Sequence, residues 1–88
     1  MFRLWGKLVR DNRVIRDVVI TDGDYSRSRT QKVLGALDEI CREFDLEHPI
    51  WLDRTVEEFR ARSHTRFTRD NFIEENDFDY LEIRVLEE

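Results

Sequence analysis

Residues 2–22 read FRLWGKLVRDNRVIRDVVITD, two runs rich in Val, Ile, Leu and aromatic side chains, broken once at Asp11-Asn12. Asp and Asn tolerate positive φ, so the break predicts the two-residue turn of a β-hairpin. With Asp11 and Asn12 as the turn, Val9 faces Val14, Leu8 faces Ile15, Lys7 faces Arg16, Gly6 faces Asp17, Trp5 faces Val18 and Leu4 faces Val19. That register puts Phe2, Leu4, Leu8, Ile15 and Val19 on one face of the hairpin. The other face carries Trp5, Val9, Val14, Val18 and Ile20 around Lys7 and Arg16.

Beyond the hairpin, residues 21–28 (TDGDYSRS) form a polar loop, and Ser28 followed by Gln31 has the spacing of a capping box. A helix over 29–44 is expected there. Val33, Leu34, Leu37, Ile40, Cys41 and Phe44 fall on one stripe of a 3.6-residue period. Gly35 sits inside it at a cost of about 1 kcal/mol relative to Ala, which suits a helix crossing close over a strand. Pro49 is expected to stop this helix, after which Ile50, Trp51 and Leu52 run extended into the core. Asp53 can cap a second, short helix over 53–62, with Val56 and Phe59 on one side and Arg60 and Arg62 in its last turn. Residues 64–68 are expected as a short strand and 70–77 as a loop or single helical turn. The stretch FDYLEIRVL (78–86) alternates Leu81, Ile83 and Val85 against Tyr80, Glu82, Arg84 and Leu86, a half-buried strand. The fold expected is α+β: two layers in one domain over 1–88, an antiparallel sheet of three to four strands with one main and one short helix.

The 88 residues, 40% hydrophobic and 40% charged, suit a thin core under a charged surface. The longest purely apolar runs are of three residues, such as Val18-Val19-Ile20, far short of the roughly 18–20 needed to cross a bilayer, so no membrane partner is expected. The lone Cys41 cannot form an intramolecular disulfide and no signal peptide is visible, which points to a reducing cytoplasm. Net charge is -5, but residues 1–44 carry nine basic against seven acidic side chains, and residues 45–88 carry six against thirteen. Such a field repels polyphosphate at long range, so nucleic acid would need a local basic face.

The basic stretch is RARSHTRFTR (60–69), with Arg60, Arg62, Arg66 and Arg69 interleaved with Phe67 and free of acids. Guanidinium forks beside an aromatic ring suit RNA or another anionic ligand. The competing reading is that this stretch folds back on the acidic segment 70–88. Catalytic signals are weak: Cys41 lies on the apolar stripe, and His48 and His64 stand without a nucleophile or metal-ligand spacing. Asp22-Gly23-Asp24-Tyr25-Ser26 opens like a calcium loop, but Arg27 stands where glycine is needed and Val33 where a bidentate Glu is needed. The acidic run Asp70, Glu74, Glu75, Asp77 and Asp79 has no recognisable ligand spacing. No cofactor or metal is expected.

If one sheet face packs on the helix stripe, Trp5, Val9, Val14 and Val18 are left on the other, joined by Tyr80 and Leu86. The second helix or another subunit then covers them. Glu82 falls on that same face and is placed to pair Lys7 and Arg16.

The stretches HPIWLDRTVEEF (48–59) and TRFTRDNFIEENDFDYLEIRVLEE (65–88) resemble a family of short uncharacterised bacterial proteins of about this length. The resemblance implies a complete, single-domain, cytoplasmic protein and assigns no functional residue. The leading functional expectation is a non-enzymatic protein-interaction domain, self-associating as a homodimer or binding a protein partner through Trp5, Val14, Val18 and Tyr80. Anion or RNA binding by Arg60, Arg62, Arg66 and Arg69 comes second, and an enzyme of unknown class third.

Overall fold

A computed structural model describes residues 1–88. Strands β1 (Phe2–Arg10) and β2 (Arg13–Asp22) precede helices α1 (Arg29–Glu43) and α2 (Asp53–Arg62), followed by β3 (His64–Phe67), a 3-10 turn (Arg69–Asn71) and β4 (Tyr80–Glu87). The strands form one antiparallel sheet in the order β2-β1-β4-β3. The architecture is α+β, as the patterning indicates.

Asp11 and Asn12 make the hairpin turn, with φ of 53° and 63°. Arg10 pairs with Arg13 and Val9 with Val14, but a bulge between Leu8 and Val9 puts Leu8 opposite Arg16. Ile15 is the extra residue. From there the expected register is off by one: Lys7 lies across from Asp17, Gly6 from Val18 and Trp5 from Val19. A one-residue slip exchanges faces, so Val18 and Ile20 turn to the helix side and pack on the core.

That core lies between one sheet face and both helices. Phe2, Leu4, Leu8, Phe67, Leu81 and Ile83 of the sheet meet Val33, Ala36, Leu37, Ile40 and Cys41 of α1, with Phe44 at its end and Phe59 of α2. Fully burying a side chain such as Phe67 or Leu37 is worth about 1.5–3 kcal/mol. Ala36 takes the place expected of Leu34, which is 40% exposed. The Ser28–Gln31 capping box forms. The helix ends at Glu43 with Phe44 as C-cap, within a residue of the expected 44, but the stop is made by Asp45 in the left-handed conformation (φ 56°), with the Leu46 N–H closing onto Cys41 O, and not by Pro49. Pro49 is buried further on. At α2 the N-cap is Leu52, without a side-chain cap, and Asp53 stands in the first turn where it favours the helix dipole. Of residues 50–52, only Trp51 reaches the core, edge-on to Phe59 and Phe67, while Ile50 is exposed.

Candidate interaction surface

Both helices pack on the Leu4 and Leu81 side, so the opposite sheet face carries no helix. Of the two coverings considered, by the second helix or by another subunit, the first is ruled out because α2 packs on the same side as α1. Strand pairing sets three rows across this face: Val14, Val9 and Tyr80; then Asp17, Lys7, Glu82 and Arg66; then Val19, Trp5, Arg84 and His64. Of the expected contact residues, Trp5, Val14 and Tyr80 share it and Val18 does not. Register parity decides this.

The middle row alternates in charge. Glu82 is only 4% exposed although it stands on an open face. It is covered by its partners: Lys7 Nζ lies 3.3 Å from Oε2, Arg66 Nε donates to Oε1 at 3.1 Å, and Arg84 Nη2 stands 3.8 Å away. Burial pushes the Glu82 carboxyl up, but the Arg66 hydrogen bond and the Lys7 charge outweigh it and hold the group below its usual range. The expected Arg16 partner is absent from this row. Arg16 points to the helix side, its guanidinium 5.1 Å from the Phe44 ring centroid. The cations also cap the aromatic rings, Lys7 4.4 Å over Trp5 and Arg66 4.3 Å over Tyr80. The Trp5 indole donates to Asp17 Oδ2 at 3.0 Å. The middle of the face is thus satisfied within the chain, and what it leaves open lies towards β2.

β2 is an edge of the sheet, ten residues long and paired on one side only. Val14, Ile15 and Val19 are 53%, 40% and 44% exposed. The other edge, β3, has four residues.

The four arginines do not converge. Arg60 and Arg62 lie on α2, Arg66 is tied to Glu82 on the sheet face, and Arg69 is in the 3-10 turn. The fold-back on the acidic segment is realised by Arg66 alone of the four. His48 Nδ1 lies 2.7 Å from Asp38 Oδ1, and His64 is across from Arg84. Cys41 is buried, its thiol pushed up to about 12 by burial and, secondarily, by Asp38. Asp22 and Asp24 spend their carboxylates on the turn: Asp22 accepts from Asp24 N and pairs with Arg27, and Asp24 accepts from Ser26. No group of three or more His, Cys, Asp or Glu side chains gathers as a metal site. No helix is long and apolar enough to cross a membrane.

One feature lies outside the sequence reading: a groove of about 460 Å³ between α1 and α2, floored by Val33, Leu34, Trp51, Val56 and Phe59 and rimmed by Arg29 and Arg60. Leu34, read as core, is its exposed wall. Arg29 is already engaged there by Glu88 and Ser63. No protein-family model, curated protein or solved structure matches this chain.

Proposed function

We propose that this chain is a non-enzymatic protein-interaction domain that receives a partner strand along β2. The observation that carries the reading is the ten-residue edge with exposed Val14, Ile15 and Val19 and no strand beyond it. Edge strands present unpaired N–H and C=O groups, and proteins ordinarily blunt them with charged side chains, proline, shortness or a bulge. β2 has no proline and is long; its charges, Arg13, Arg16, Asp17 and Asp22, are of both signs and flank an uncharged centre at Val18-Val19-Ile20, and its one bulge, at Ile15, bends the hairpin end. Strand addition draws affinity from the backbone and specificity from alternate side chains, and Val19 beside Trp5 supplies an apolar contact on the open face.

The test is selection of displayed ten-residue peptides on the folded protein, with amide shift mapping of the binders. The expected result is binders that perturb β2 amides and are lost in Val14→Lys/Val19→Lys. Binders that map to the α1–α2 groove and survive that double substitution overturn the reading.

A further inference from the structure

The regular part of β2 begins after the bulge, at Arg16, and ends at Asp22, seven residues reading RDVVITD. Its ends carry opposite charges and its centre is Val18-Val19-Ile20. We infer that the strand received by this edge is β2 of a second copy, the two strands antiparallel about a two-fold axis at Val19. The inference rests on the strand-addition reading above and names its partner.

Symmetry restricts the choice. Two antiparallel copies form a continuous sheet only about an axis normal to it, which keeps the helices of both on one side. Directly opposed residues share a face, so the axis must pass between a residue and its own copy. An axis at Asp17 sets carboxylate against carboxylate, and one at Arg16 sets guanidinium against guanidinium. At Val18, Arg16 meets Ile20 of the second copy; at Ile20, Val18 meets Asp22. Only the axis at Val19 puts Arg16 opposite Asp22 twice over, Val18 opposite Ile20 twice, and valine on valine at the centre. Opposite charges directly across a strand pair stabilise it and like charges oppose it.

The groups concerned fit these roles. Arg16 is exposed and no carboxylate lies within ion-pair distance of it. Asp22 accepts from the Asp24 N–H on Oδ1 and from Arg27 on Oδ2 at 2.8 Å, so the Arg16 guanidinium of the second copy would share these oxygens through their remaining lone pairs, as Lys7 and Arg66 share Glu82.

Light scattering across a hundredfold concentration range, with oxidative cross-linking of Val19→Cys, tests this. Cys41 is buried and does not compete. The expected result is a monomer-to-dimer rise in mass, weakened about tenfold by Arg16→Asp, and a Val19→Cys dimer that forms far faster than one through Ile73→Cys, an exposed position outside β2. Circular dichroism confirms that each variant is folded. A monomer at every concentration, with Val19→Cys no faster than Ile73→Cys, overturns the second-copy assignment; strand peptides that still shift β2 amides then leave the strand-addition reading standing. A dimer indifferent to both Val19→Lys and Arg16→Asp overturns the second-copy assignment and removes self-association as support for the edge reading.

Discussion

Ile40 of α1 lies directly over Gly6 of β1: a Cβ built at residue 6 would stand 2.7 Å from Ile40 Cγ2 and 2.8 Å from its Cδ1. The helix therefore crosses the sheet at the one strand position without a side chain. This close approach fixes how deep α1 sits on Leu4 and Leu8.

Gly6→Ala is expected to destabilise the fold by about 1–3 kcal/mol through overpacking, partly offset by the better strand propensity of alanine. Ile40→Ala alone costs about 2–5 kcal/mol. Because the two side chains compete for one space, the double variant should lose less than the sum of the singles, read from urea unfolding. Strict additivity would show that the contact does not limit the packing.

Glu82→Gln is expected to cost about 1–3 kcal/mol at neutral pH, since it removes the charge that Lys7 and Arg66 share. The Glu82 carboxyl is held below its usual range, so its folded value lies under its unfolded one. Its contribution is then present above the ordinary carboxylate range and is lost as the pH falls through the lowered value. The stability gap between the natural chain and Glu82→Gln should be flat from pH 7 to about 5 and close below that. A gap that persists unchanged into strong acid would refute the assignment.

How much of this was legible follows from the kind of signal each feature has. The hairpin turn was visible because Asp11-Asn12 is a local signal for positive φ. The capping box at Ser28 and the alternation of Leu81, Ile83 and Val85 are equally local. The bulge was not legible, because Ile15 differs in no respect from a paired β-branched residue, and with it went the face of Val18. The end of the first helix is legible to within a residue, but the stop belongs to Asp45, which enters the left-handed region without glycine, and not to Pro49, the more visible signal. Sequence points to Gly35 as the close-approach glycine, but Gly35 makes room for the Arg27 guanidinium, 2.6 Å from where its Cβ would be. Glu82 was placed on the right face with one wrong partner, since Arg66 becomes its neighbour only through the β4–β3 pairing. The scatter of the four arginines over three elements depends on the turn at Ser63, which sequence spacing does not display.

Cys41 is expected to be nearly inert in the folded protein. Its thiol is pushed up to about 12, so almost none is thiolate at pH 8, and the side chain is buried under α1. Reaction with an aromatic disulfide reagent should proceed only through opening of the core, orders of magnitude slower than in urea, and should accelerate in Gly6→Ala by about tenfold for each 1.4 kcal/mol of stability lost. Native-state labelling at the rate of a free thiol would place Cys41 outside the core.

Asn71 and Trp51 make opposite predictions about buried polar groups. Asn71 is 1% exposed; its Nδ2 donates to Ile50 O at 2.8 Å and Thr55 Oγ1 at 3.1 Å, and its Oδ1 accepts from the Thr68 N–H at 3.0 Å. Asn71→Leu keeps the volume but strands all three groups, so a loss of about 2–4 kcal/mol is expected. The Trp51 Nε1, by contrast, is buried without an acceptor. Trp51→Phe removes that orphan donor and retains a ring against Phe59 and Phe67, whose centroids lie 5.7 and 5.0 Å from that of Trp51. Its loss should stay within about 1 kcal/mol, whereas Trp51→Ala should cost about 3–5. If Trp51→Phe proves as damaging as Trp51→Ala, the indole N–H is bonded in solution, and the groove wall between α1 and α2 holds an acceptor for it.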